Sequence, residues 1–452
     1  MLSSEIPGDI AMRCTAMSLL ILGCGTVAAE DFETRKAANW HQWRGPNADG
    51  SSSTAEPPTK WSSDTNIRWK AEIPGKGSST PVVWGDRVFV VTAVKTDRIA
   101  KPDELPLPDP KFKLIPNPPT HFYKFLVLCF DRGSGKRLWE KVAAEKLPHE
   151  GTHETHTYAA GSPTTDGKHL YVSFGSFGTY CYDFDGNQKW SRDLGLLHTR
   201  LGWGEAVTPV VDGDSLLINY DQEENSALYC LNTATGKTKW VAKRDEKTSW
   251  NTPLVVEHAG KKQVVTSGTT RIRSYDLATG DLIWQCAGMT VNSIPSPVKV
   301  GDSVVCMSGY KGAAVVSVPL GSQGDLGTEG KVNWRYAAGT PYVPTPVLVK
   351  DQLYFTAGNG EMLTILDAKT GKPVIAQERL PQVKSFYGSP ATAAGRVYFT
   401  DRSGVTVVLK AGSTIDVLAV NKLNEPVDAS PVLVGKQLFL RGHSHLYCIE
   451  EK

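Results

Sequence analysis

Short runs of β-branched and aliphatic residues recur along most of the chain, broken by Gly-containing turns. Val82-Val83-Trp84, then Gly85-Asp86, then Arg87-Val88-Phe89-Val90 is one example; Val298-Lys299-Val300, Gly301-Asp302 and Ser303-Val304-Val305 is another. Two such runs across a tight turn signal a hairpin. A Ser/Thr-Pro step precedes each hairpin: Thr80-Pro81, Ser162-Pro163, Thr208-Pro209, Thr252-Pro253, Ser296-Pro297, Thr345-Pro346, Ser389-Pro390 and Ser430-Pro431. A third run follows and ends in an Asp-x-x-Thr-Gly-like turn. A tryptophan then stands four residues after the glycine, at Gly135/Trp139, Gly186/Trp190, Gly236/Trp240, Gly280/Trp284 and Gly330/Trp334. The later units lose it, with Ile375 after Gly371.

Each unit therefore reads as four antiparallel strands, A to D, with a period of about 45 residues. Eight such units predict an all-β, eight-bladed β-propeller. The ends predict how the ring closes. The last unit stops after strand C at Leu446-Tyr447-Cys448-Ile449, while Asn66-Ile67-Arg68-Trp69-Lys70 is a strand D without its A to C. An N-terminal strand should complete the eighth blade. The expected organisation is a signal peptide over residues 1–29, an extension packing on the propeller over 30–65, and the propeller over 66–452. Trp69, Trp139, Trp190, Trp240, Trp284 and Trp334 are expected to seal blades by packing over a neighbour's turn.

One repeat interval is doubled by a Pro-rich insertion over residues 95–121, between strands B and C of blade 1. It carries Pro102, Pro106, Pro108, Pro110, Pro116, Pro118 and Pro119 and is expected to be extended and semi-rigid: a lid, a docking arm or plain surface. The B–C and D–A connections share one face, here the top, and function is expected there.

Residues just before the Ser/Thr-Pro steps should ring the axial opening: Tyr158, Trp203, Glu205, Trp250, Asn251, Tyr342, Tyr387 and Asp428. Aromatics with a few polar groups suit a flat ligand or a peptide, and plugging the channel mouth is the plain alternative. His149, His153 and His156, near Glu150 and Glu154, offer imidazole and carboxylate to Zn²⁺ or Cu²⁺, with His443 and His445 in a neighbouring sector. Ordinary exposed loop residues are the alternative.

The chain has 49 Lys+Arg and 47 Asp+Glu and no basic block, which leaves no electrostatic footprint for nucleic acid. Ala16-Met17-Ser18-Leu19-Leu20-Ile21-Leu22 is an apolar signal core, and Val27-Ala28-Ala29 suits cleavage. Met12 is an alternative start to Met1. Ile21-Leu22-Gly23-Cys24 also resembles a lipobox, making Cys24 a candidate lipid anchor. The protein is expected to be exported to the periplasm or cell envelope, with no membrane-spanning segment after signal removal. Cys129, Cys181, Cys230 and Cys448 hold equivalent repeat positions and are expected to be buried mid-strand thiols.

The repeat resembles that of the PQQ-like β-propellers, most clearly at Tyr275-Asp276-Leu277-Ala278-Thr279-Gly280-Asp281-Leu282-Ile283-Trp284. The opening Trp40-His41-Gln42-Trp43-Arg44-Gly45-Pro46-Asn47 resembles the start of mature secreted members. The family contains quinoprotein alcohol dehydrogenases, which hold PQQ and Ca²⁺ on the axis, and the cofactor-free propeller lipoprotein of outer-membrane assembly. The resemblance implies, for the first kind, an indole face under the quinone (Trp203 or Trp250) and carboxylates for Ca²⁺ and base (Glu205, Asp428). It also implies adjacent cysteines, and the sequence has no Cys-Cys pair. The expectation is a non-catalytic scaffold that binds an envelope protein or small ligand on its top face, with no cofactor. A PQQ/Ca²⁺-dependent dehydrogenase is the alternative.

Overall fold

The computed structural model describes residues 32–107, 109–114, 118–328 and 330–451. The expected signal peptide, Cys24 and both candidate starts lie outside the described residues. No helix among the described residues is long and apolar enough to cross a membrane.

Eight sheets, each with four antiparallel strands and two of them with one added parallel strand, make up the chain, so the eight-bladed propeller is observed. Blade 1 pairs Val82–Trp84, Arg87–Ile99, His121–Asp131 and Arg137–Lys146 in order. Blade 8 takes strands A to C from Val432–Val434, Gln437–Arg441 and His445–Glu450. Its outer strand is Ile67–Glu72, antiparallel to His445–Glu450 with Trp69 opposite Cys448. The two ends of the chain thus share one sheet.

The Ser/Thr-Pro steps have a physical cause that spacing alone does not reveal. At seven of the eight steps, all but Thr208, the backbone N–H of the Ser or Thr donates to the hydroxyl of its counterpart in the next blade. The bonds run Thr80 to Ser162 (2.9 Å), Ser162 to Thr208 (3.0 Å), Thr252 to Ser296 (2.8 Å) and Ser296 to Thr345 (2.9 Å). They continue from Thr345 to Ser389 (2.9 Å), Ser389 to Ser430 (3.0 Å) and Ser430 to Thr80 (3.2 Å), across the closing seam. A buried amide must find an acceptor, and the hydroxyl supplies it where no strand partner reaches.

At the rim the tryptophans meet the turns of the following blade. Trp69, Trp139, Trp190, Trp240 and Trp334 donate their indole N–H to Arg132, Phe184, Thr233, Leu277 and Ala368 carbonyls at 2.8–3.2 Å. Each ring covers a glycine of that turn, so a Cβ on Gly135, Gly186, Gly236, Gly280 or Gly371 would come within 3.0 Å of the indole. Those glycines also have φ between +67° and +81°, where side chains are strained.

Trp284 behaves differently. It is 0% exposed, and its N–H faces Gln263 Oε1 of its own blade at 3.4 Å. Blade 5 makes no tight C–D turn there; Gly324–Asp325 instead runs parallel to Leu282–Ala287 as an extra outer strand of blade 4.

Across each sheet the residue opposite the tryptophan is small. Cys129 faces Trp139, Cys181 faces Trp190, Cys230 faces Trp240 and Ser274 faces Trp284. In blades 6 and 7, which lack tryptophan, Ile365 faces Ile375 and Val408 faces Ala419. The six cysteines among the described residues are free and buried. The repeated position of Cys129, Cys181, Cys230 and Cys448 reflects the volume left beside an indole.

The N-terminal extension does more than pack on the outside. Trp40 exchanges both backbone hydrogen bonds with Val83, His41 O accepts Thr165 N–H, and Ser51–Ser52 runs parallel to Ala391–Ala393. These are the inner strands of blades 1, 2 and 7, so the segment crosses the axis. Arg44, 2% exposed, donates to the Pro390 and Pro346 carbonyls at 2.5 and 2.7 Å, and burial lowers its pKa to about 10.

Removing residues 32–72 should unpair His445–Glu450 and open the axis, giving an aggregating or non-cooperatively melting product. A soluble, cooperatively melting deletion would contradict this closure. Gly280 and Gly213 both have positive φ, but only Gly280 abuts an indole; nothing lies within 4 Å of a Cβ on Gly213. Gly213→Ala should cost about 1–2 kcal/mol of backbone strain, and Gly280→Ala clearly more by denaturant titration. Equal losses would show that the Trp240 contact contributes nothing.

Candidate functional site

Above the hydroxyl ring the axis widens into a cavity of about 360 Å³. Its lower wall includes ring residues such as Thr80, Ser162 and Thr208, together with Trp43 from the N-terminal segment. The upper wall is aromatic: Trp203, Trp250, Tyr310, Tyr342 and Tyr387, with His153, His156 and Asp428 between them. Tyr310 stacks on Tyr342 at 4.9 Å and meets Trp203 edge-on at 6.3 Å. The Trp250 indole is fixed by a 2.8 Å bond to the Gly204 carbonyl.

Five of the eight residues expected at the opening line it: Trp203, Trp250, Tyr342, Tyr387 and Asp428. The other three serve the loops. Tyr158 donates to the Glu150 carbonyl at 3.0 Å and packs edge-on against Tyr123. Asn251, buried, bridges Ser249 Oγ and the Ser267 carbonyl. Glu205 turns its carboxylate into blade 2, where Oε2 accepts the Ser176 N–H at 2.7 Å. The residue as a whole is half-buried, but its carboxyl is enclosed against Gly175. Burial raises its pKa to about 8, with Glu150 adding to the rise.

The polar groups of the cavity are already engaged. Asp428 accepts Arg402 Nε at 2.7 Å and faces His443 Nε2 at 2.9 Å. These partners outweigh burial and hold its carboxyl below the usual range. The Arg402 guanidinium lies 4.0 Å over the Tyr387 ring. Tyr387 OH pairs with Thr155 Oγ1, which pairs in turn with His153 Nδ1, both at 2.8 Å. His156 Nε2 meets the Glu205 carbonyl at 3.0 Å, and burial lowers its pKa.

The three histidines expected as one metal set do not converge. His153 and His156 face the cavity, whereas His149 turns outward to Glu150 and His198, the group whose ligand atoms lie within 4.8 Å of one another. His445 pairs instead with Glu425 at 2.9 Å. The reason is the repeat itself: His149 and His198 occupy the D–A connections of adjacent blades, which lie side by side. Trp43, Tyr310 and His198 are the residues that reading the sequence missed. Trp43 and Tyr310 lie outside the positions before the Ser/Thr-Pro steps, and only the one-period offset from His149 pointed to His198.

A family model described as outer membrane protein assembly factor BamB matches residues 124–329 and 326–451. The chain belongs to that family. No curated protein matches it. Among solved structures it is similar to BamB from Moraxella catarrhalis, with TM-score 0.51 and 14% identity over 79% of this chain and 98% of that one. It is also similar to quinohemoprotein alcohol dehydrogenase from Comamonas testosteroni, with TM-score 0.63 and 12% identity over 92% and 81%. At these identities the likeness shows the fold. The described residues of the cavity lining do not fit PQQ, a tricarboxylate: they include no lysine or arginine, and the one carboxylate among them, Asp428, is already paired with Arg402 and His443.

Glu205 gives a pH test. Its carboxyl is raised in the fold from an ordinary 4.5 to about 8. The folded state therefore binds the extra proton, and this contribution is complete below about 4.5 and lost as pH rises through 8. Glu205→Gln should gain stability relative to the parent chain as pH rises from 5 to 8.5, followed by urea titration. A pH-independent difference would contradict the raised value.

Proposed function

We propose that the protein is an exported propeller of the cell envelope that binds a small flat ligand, neutral or cationic, in its axial cavity and does no chemistry on it. The observation that carries this reading is the aromatic wall on the elaborated face, with Trp203, Trp250, Tyr310, Tyr342 and Tyr387 around one carboxylate. Aromatic faces attract planar and cationic groups. A site built for proton transfer needs an available base. Here both Asp428 oxygens are taken, and Glu205 faces away from the cavity. Membership of the BamB family supports an envelope setting.

The test is native mass spectrometry on protein purified from an envelope fraction without denaturation, with calorimetric titration of PQQ plus Ca²⁺ in parallel. The parent chain should carry a small-molecule adduct that the Trp203→Ala/Tyr310→Ala double variant lacks, and PQQ should not bind. Micromolar PQQ binding, or an adduct indifferent to the double substitution, would overturn the reading.

A further inference from the structure

We propose that His149, Glu150 and His198 form a binding site for a divalent transition-metal cation of the zinc class, separate from the axial cavity and independent of what occupies it. One nitrogen from each histidine and one Glu150 oxygen lie within 4.8 Å of one another. His198 Nδ1 and Glu150 Oε1 are 2.9 Å apart, sharing a proton. Tetrahedral zinc with bonds of about 2.0–2.1 Å needs ligand atoms roughly 3.3 Å apart. Between these two atoms an ion can therefore replace that proton with a shift of a few tenths of an ångström, the proton moving to the other ring nitrogen of His198, while the His149 nitrogen, within 4.8 Å, has further to move. His149 closes from the third side.

Two further features distinguish the group from an ordinary polar cluster. First, the donors are held from behind as metal ligands are. His149 Nε2 meets the Leu197 carbonyl at 3.1 Å, which leaves Nδ1 as the free lone pair, and that atom is buried without a partner. The second Glu150 oxygen accepts both the Thr199 N–H, at 3.1 Å, and its hydroxyl, at 2.9 Å. Second, the Pro-rich insertion covers the site. Phe112 stacks on His198 at 4.1 Å with an interplanar angle of 9°. Leu114 sits where a Cβ on Gly202 would be, at 2.9 Å, and Lys111 reaches Glu224 at 3.7 Å. An apolar wall on one side of a His₂Glu set restricts water while three protein ligands leave a fourth position open.

Calorimetric titration of the full chain with zinc chloride tests this. One equivalent should bind, weakened about tenfold or more in His149→Ala and in His198→Ala and unchanged in His258→Ala. No binding, or binding equal in all three variants, would overturn the site. Should a histidine variant fail to fold, cobalt(II) added to the unaltered chain gives an independent readout. Intense visible bands of a four-coordinate ion support the site, and the weak spectrum of hydrated cobalt contradicts it.

Discussion

Around the axis, amides of one blade donate to hydroxyls of the next, and the rest of the molecule is arranged on that ring. A propeller packs blades side by side with no strand pairing between them, so the innermost strands have backbone groups that face the axis and lack partners. The Ser/Thr hydroxyl satisfies one such N–H at seven of the eight steps. The following proline removes another, since it has none to satisfy. The freed carbonyls of Pro346 and Pro390 receive Arg44, which ties the N-terminal segment into the channel. The cavity stands on this ring, and Trp43 reaches it because Arg44 beside it is anchored.

The rim is held by a different device with the same regularity. An indole from one blade lies on a glycine of the next and donates to that turn's backbone, while a cysteine or serine across the sheet leaves it room. Where the indole is missing, toward blades 7 and 8, the N-terminal segment supplies contacts. The Trp61 backbone N–H donates to Asn421 Oδ1, and Tyr398 OH reaches the carbonyls of Pro57 and Pro58. The N-terminal segment therefore does three jobs: it completes blade 8, plugs the axis and covers the seams without tryptophan.

The fold was legible because a repeat states its own register. The Thr279-Gly280 turn and Trp284 four residues on could be aligned with four other units, and the half-blades at the two ends implied closure. Trp284 itself marks the limit, since the spacing survived where the turn it should meet had become an excursion to Gly324–Asp325. The site was legible in part. Residues before the Ser/Thr-Pro steps point to the mouth at Trp203 and Tyr387 but not at the equally large Tyr158. Asn251 and Glu205 found backbone partners inside the loops instead. Proximity along the chain misled for the histidines. His149 and His153 are near in sequence but face different ways, while residues one period apart, such as Glu150 and His198, meet across neighbouring blades.

The central claim is that the hydroxyl ring holds the blades in register, and Thr345→Val tests it most directly. Valine keeps the shape of this buried side chain and removes only the oxygen that accepts the Ser296 N–H. Leaving that amide unpaired should cost about 1–3 kcal/mol by denaturant titration, with faster hydrogen exchange at Ser296. A variant within about 0.5 kcal/mol of the parent, with Ser296 exchange unchanged, would contradict it.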